Sequence, residues 1–181
     1  MTGAVRFAPV EVTLRNDRRV RVREIRPDDR DEVQQAFARL SSESRYMRFM
    51  SFLKELPPRM LDSVVHAQRE HGLALVAEID APDGTDIVGG ARYIEEEGKT
   101  CEFAVTVADD WQRVGLASRL LRELIAAARA RGLQRMEGFV LAGNSPMLGL
   151  ARRLGFTLGA DPRDPTVVVV ALDLTARSQS S

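Results

Sequence analysis

The chain holds a single cysteine, Cys101, and two histidines, His66 and His71. One thiol cannot form an internal disulfide. The three residues do not fall at metal-ligand spacing either, so no metal is expected. Lysine is scarce: of 26 basic residues only Lys54 and Lys99 are lysines. We read that as genome base composition rather than function. No charge of either sign is in excess, since 26 acidic residues balance the 26 basic ones. A protein that grips nucleic acid through its phosphates carries a basic surplus, so nucleic acid is not an expected partner. No run of about 18 apolar residues exists to span a membrane. The opening MTGAVRFAPV lacks an apolar stretch of signal-peptide length. A cytoplasmic protein with no membrane association is expected.

What is present suits one globular domain. The 181 residues are 44% apolar and 29% charged, enough to bury a substantial core. Residues 1–8 read as an N-terminal extension, 9–174 as the domain, and 175–181 as a disordered tail. Val10, Val12 and Leu14 alternate with polar residues, Asn16-Asp17 marks a turn, and Val20 and Val22 resume the alternation; this predicts a hairpin over 9–15 and 19–25. Pro27-Asp28-Asp29 opens a helix with Val33, Ala36, Phe37 and Leu40 at helical spacing. Ser41 to Met50 reads as a connector, and Pro57-Pro58 opens a second helix. Strands follow at 73–79, 86–94 and 100–108, a helix at 115–131, a strand at 134–141, a helix from Asn144 to Leu154, and a last strand at 167–174. The order is ββααβββαβαβ, an α/β fold with a mixed sheet.

The segment from Val107 to Ala117 joins a strand to the long helix. Within it Gln112 to Ala117 reads Gln-x-x-Gly-x-Ala. The first amides of a helix have no partner inside it. Gly115 and Ala117 let an anion approach the backbone closely, and the helix dipole is positive at that end. The combination suits a pyrophosphate. From Arg113 to Arg135 six arginines face one acid, Glu123. No Gly-Lys-Ser/Thr follows, so this is not a P-loop, and the three spaced glycines of a dinucleotide fingerprint are missing.

These residues resemble the coenzyme A motif of the GNAT superfamily of N-acetyltransferases. Asn144 to Phe156, ending Leu154-Gly155-Phe156, is similar to that family's Asn-initiated helix. Ser41 to Phe49 resembles the connector in the acetyltransferase domain of bacterial protein lysine acetyltransferases. The resemblance spans roughly residues 10–174. It implies a GNAT fold whose central sheet splays between two parallel strands, here 100–108 and 134–141. It implies acetyl-CoA as cosubstrate, with pantetheine against the backbone of Val105 and Val107, pyrophosphate on the amides of Arg113, Val114, Gly115, Leu116, Ala117 and Ser118, and Gln112 among the coenzyme residues. Asn144 joins the coenzyme residues on the same ground.

Amine acylation needs a neutral amine, and an ammonium of pKa about 10.4 must first lose its proton. In the resembling enzymes a Glu on the strand before the coenzyme motif removes it, and Glu102 stands at that position. By alternation alone Glu102 is equally well the outward residue of a strand. Glu78 is the next candidate. The N–H of Val105 is a candidate donor to the oxyanion. Many GNAT enzymes protonate the leaving thiolate with a tyrosine after the Asn; here the only tyrosines are Tyr46 and Tyr93, and Ser145 is a weak substitute. Cys101 sits on the apolar face with Phe103 and reads as a buried structural thiol. Tyr46 and Phe49 either line the acceptor mouth or pack between helices. Ten acids between Glu78 and Asp110 against Arg92 and Lys99 would attract a cationic acceptor. A protein lysine fits, favoured by the connector, and so does a polyamine. An acyl-CoA-binding sensor without transferase activity is the reading from another class. A monomer and a homodimer are equally compatible with the sequence.

Overall fold

The computed structural model describes residues 6–67 and 71–176. The remaining residues of the expected extension and tail lie outside them. The hairpin forms as its alternation dictates: β1 (Val10–Thr13) pairs antiparallel with β2 (Arg19–Glu24), with Val12 opposite Val20. Val12, Val20 and Val22 are turned inward and buried. After a 3-10 turn at Pro27–Asp29 come α1 (Arg30–Ala38), α2 (Ser42–Phe49) and α3 (Pro58–Val65). Then follow β3 (Gly72–Ala81), β4 (Gly84–Glu95), β5 (Thr100–Val107), α4 (Leu116–Ala130), β6 (Arg135–Leu141), α5 (Ser145–Arg153), β7 (Thr157–Asp161) and β8 (Asp164–Asp173). The eight strands form one sheet in the order β1-β2-β3-β4-β5-β6-β8-β7. Every neighbouring pair is antiparallel except β5 with β6. This is the mixed sheet expected.

Two elements correct the sequence reading. The Ser41–Met50 connector is the helix α2. Ser41 caps it by accepting from the Ser44 N–H at 3.1 Å, and Met50 ends it in a left-handed conformation. It buries no whole residue; its inner side combines Phe49, edge-on to Phe37 with centroids 5.5 Å apart, with the stems of two arginines. Arg45 donates to the carbonyls of Ala38, Leu53 and Lys54 and lies over the Phe37 ring. A search for apolar periodicity passes over such a helix. The second is β7, an edge strand of small and polar residues paired to β8 through Leu158 opposite Val170. Its mostly exposed residues lack the alternating apolar signal of an inner strand.

Side-chain alternation sorts the strands onto two faces. Leu75, Ala77, Ala91, Tyr93 and Phe103 join the cluster beneath α4, whose stripe Leu116, Leu120, Leu121, Leu124, Ile125 and Ala128 is buried against them. Ala74, Val76 and Ile87 point the other way, into a cluster with Ile25 and Val65 beneath α1 and α3. β3 is therefore covered on both faces and reads as an almost unbroken apolar run.

One buried charge cluster fastens the helical layer to the sheet. Arg23 on β2 donates to both carboxylate oxygens of Asp29 at 2.8 Å, and to Glu78 on β3 at 2.8 and 3.0 Å. Asp29 also accepts from the Arg26 N–H. Burial works to raise the Asp29 pKa, but the hydrogen bonds from Arg23 and the Arg26 N–H outweigh it and hold the carboxyl below its ordinary value. Removing one partner of a buried ion cluster costs about 3–5 kcal/mol, so Asp29→Asn should lower stability by roughly that amount in denaturant titration. The sign with pH follows from linkage. Asp29 contributes stability in full above its unfolded pKa, and the contribution is lost as pH falls through the lower folded value. Below about pH 4 the native chain should lose stability more steeply than Asp29→Asn, measured by melting temperature against pH.

Candidate active site

The site begins where two strands part. β5 pairs with β4 along its whole length but with β6 only at Thr100–Glu102, opposite Arg135–Glu137. The next position holds Phe103 against Gly138. A Cβ on Gly138 would stand 2.5 Å from the Phe103 ring, and that ring packs on Phe156 with centroids 5.2 Å apart. Beyond this wedge β6 continues with β8 and β5 with β4. Alternation of the antiparallel ladder sets which way the β5 backbone faces. Ala108 donates to the Val88 carbonyl at 2.9 Å and Glu96 to the Thr100 carbonyl at 2.7 Å, so even-numbered residues bond to β4. Val105 and Val107 turn their N–H and C=O groups into the gap. The Val107 carbonyl accepts from the Gln112 side chain at 3.1 Å.

At the open end of the gap stands the α4 N-terminus. Arg113 and Gly115 both take positive φ, 65° and 92°, and Gly115 is the N-cap with no side chain to satisfy the amides of Leu116, Ala117 and Ser118. A concavity here is lined by Arg15, Gly115, Ser118 and Arg153. Arg15, at the hairpin turn, holds the loop through its N–H to the Val114 carbonyl at 3.2 Å. Arg18 donates to the Asp110 carbonyl at 2.7 Å and stacks over buried Trp111. The concavity thus has two cationic walls, Arg15 and Arg153, which sequence reasoning did not single out because they lie far from the loop in the chain. Gln112, by contrast, turns its side chain to brace Val107 and Ser44. Asn144 caps α5, its Oδ1 accepting from the Met147 N–H at 3.3 Å.

On the other face α2 runs across the same region. At its start the Ser41 N–H and Ser44 hydroxyl both donate to Asp109 at 3.1 Å. One turn further on, Arg48 feels both Arg92 and Glu102. Glu102 itself points to this face, as do Ala104, Thr106 and Arg92. It remains reachable from solvent. Its pKa is raised, first by partial burial and then by Glu96 and Glu137, while Arg92 opposes the shift; a hydrogen bond with Glu96 adds to it. Glu78 is withdrawn as an alternative base, being buried in the Arg23 cluster. Cys101 is fully buried and its thiol is pushed up to about 12, chiefly by burial. Tyr93 is wholly buried in the cluster beneath α4. Tyr46 stacks on exposed Phe52, whereas Phe49 lines the cavity below α2.

The acetyltransferase (GNAT) family model matches residues 32–156. Acetyltransferase PA5475 of Pseudomonas aeruginosa is 38% identical over 175 residues, covering 93% of this chain and 94% of that protein. The crystal structure of the GNAT domain of S. lividans PAT superimposes with TM-score 0.83 at 27% identity, over 91% of this chain and 96% of that one. A shorter match, 46% over 70 residues, is to the L-methionine sulfoximine/L-methionine sulfone acetyltransferase of P. aeruginosa; it spans 39% of this chain and 41% of that protein. The chain belongs to the GNAT family of acetyltransferases.

A side chain at position 115 would face both a disfavoured φ and the Arg15 guanidinium, 3.4 Å from the Cβ. Gly115→Glu should therefore abolish measurable acetyl-CoA binding by calorimetry while the fold, followed by circular dichroism, persists.

Proposed function

We propose that this chain transfers acetyl from acetyl-CoA to a primary amine by direct attack, with Glu102 as general base. The observation that carries the reading is the placement of Glu102. It sits where β5 and β6 begin to part, with its proton affinity raised and with solvent access for an incoming ammonium. The α4 amides, Arg15 and Arg153 would hold the coenzyme phosphates, and the β5 edge at Val105 would align the thioester arm. The amine nitrogen attacks the thioester carbon as its proton passes to Glu102. The Val105 N–H can donate to the oxyanion. The sulfur then leaves as thiolate, which a thiol of pKa about 8.5 does without a dedicated acid.

Two acceptor classes suit this chemistry. A protein lysine is supported by the resemblance of the Ser41–Phe49 segment to the connector of bacterial protein lysine acetyltransferases. A small amine is supported by the relative named for amino-acid analogues. A sensor that binds acyl-CoA without transfer gives Glu102 no role. Free CoA release from acetyl-CoA, with amines of each class offered in turn, separates these readings.

Glu102→Gln keeps the shape but cannot take a proton. General base catalysis is worth about 10²–10⁴-fold, so kcat at pH 7 should fall within that range. Acetyl-CoA affinity should stay constant, and the deficit should narrow as pH rises and more amine is already neutral. Wild-type kcat in the variant would refute the assignment.

The pH profile offers a second check. Glu96 raises the Glu102 pKa, so its removal lowers that pKa. The acidic limb of kcat/KM should then move to lower pH in Glu96→Gln, with the plateau little changed. An unmoved limb would mean that another group titrates.

A further inference from the structure

The cavity beneath α2 has charge of the wrong sign for a lysine side chain. It is enclosed by α1, α2, α3 and the β3–β5 face, holds about 120 Å³, and is walled by apolar groups such as Ile25, Phe37, Phe49 and Val76. Among the described residues its only charged lining groups are Arg48 and Arg92. An ammonium on an aliphatic stem entering here would meet two guanidinium groups and no carboxylate in the wall.

Arg48 is the less satisfied of the two. Its guanidinium lies over the Phe49 ring, 4.5 Å from the centroid, but its Nε is shielded from solvent and has no hydrogen-bond partner among the described residues. The guanidinium pKa is lowered to about 10, by burial first and by Arg92 second, with Glu102 only partly opposing. A buried cationic donor without an acceptor is costly, and a planar guanidinium is shaped to take a carboxylate through two parallel bonds. The coenzyme phosphates are remote from it. They belong beyond the end of β5, and five residues of strand from Glu102 to Val107 span about 16 Å.

We propose that the acceptor is a small α-amino acid whose carboxylate is held by Arg48, whose amine faces Glu102, and whose apolar side chain fills the cavity. The inference rests on the amine-acetylation reading above and narrows its acceptor. Glu102 stands on the same sheet face as Arg92 and Ala104, which line the cavity with Arg48, and its charge acts on Arg48, so one small molecule can bridge them. Arg92, which donates to Ser63, adds positive potential behind the carboxylate. The step itself is unchanged: the N–C bond forms, the C–S bond breaks, and the amine proton goes to Glu102.

The test compares acids with their amides on the intact chain. L-Leucine, L-methionine and L-phenylalanine are offered beside L-leucinamide, L-methioninamide and L-phenylalaninamide, with CoA release and calorimetry as readouts. A hydrogen-bonded charge pair is worth about 1.5–3 kcal/mol, roughly ten- to a hundredfold, so each preferred acid should show KM and Kd lower than its amide by that factor. Arg48→Met should erase the difference by weakening the acids alone, with acetyl-CoA affinity unchanged. Arg48→Lys, which keeps the charge but not the fork, should fall between. Equal binding of acids and amides in the native chain overturns the proposal, as does discrimination surviving in Arg48→Met. Preference for lysine-bearing polypeptides or polyamines over every free amino acid also overturns it. Absence of turnover with any amine would refute acetyl transfer instead, and the calorimetric acid–amide comparison would still decide the carboxylate site. Failure of both acids and amides to bind would overturn it.

Discussion

The contact of Phe103 with Gly138 is the constraint on which the site depends. Parallel strands joined by a helix pair along their length unless something stops them, and here the pairing stops after three residues. The ring occupies the volume where a side chain on β6 would stand, and Phe156, at the end of the α5 motif, packs against it. The Leu-Gly-Phe signature after α5 therefore has a mechanical meaning: its Phe supports the wedge. Because β4 and β8 keep the outer edges of β5 and β6 fully paired, the parting leaves both strands ordered, with their inner edges bare.

Bare backbone is ordinarily avoided, since unpaired N–H and C=O groups cost free energy. This fold concentrates such groups along one line. The β5 edge turns Val105 into the gap; the α4 start offers amides that a glycine N-cap cannot satisfy; Arg48 carries a buried donor without an acceptor. In the proposed reading an acyl-CoA would set its phosphates at the α4 end and its amide-bearing arm along the strand, with the acceptor beneath α2. The hairpin turn reinforces the first of these sites, because Arg15 and Arg18 bond to the loop backbone and keep two consecutive irregular turns in place.

The sequence made the frame legible wherever an apolar period was strong. The α4 stripe, the inward valines of β1 and β2, and the unbroken run of β3 all announced themselves. Glu102 and the Gly115 loop were singled out as candidates because their signals are local: a charged residue in a strand, and small residues at a helix start. Arg15, Arg153 and Arg48 were not, because each acquires its meaning from a partner far away in the chain. α2 escaped because Phe49 packs there beside arginine stems instead of an apolar stripe, and β7 because an edge strand needs little apolar character. Gln112 shows the converse. A motif residue counted among the coenzyme residues uses its side chain to brace the strand end and α2.

Charge illustrates most sharply why chain order misleads about function. The ten acids between Glu78 and Asp110 suggest a surface made for a cation. In the fold Glu78 is consumed by Arg23, Glu95 pairs with Arg131, Asp86 lies 3.7 Å from Arg39, and Asp109 holds the start of α2. What remains near the reacting region is a smaller group, Glu96, Glu102 and Glu137, in which the first and last raise the proton affinity of Glu102. Directly beside it lies a cavity whose charged wall is wholly cationic. A site with acids on one side and guanidinium groups on the other is polar in a definite direction. It would orient an acceptor that carries both an ammonium and an anion, and would give a purely cationic acceptor no reason to enter the cavity. That asymmetry arises because Arg48 reaches the cavity from α2, where arginine stems pack beside Phe49.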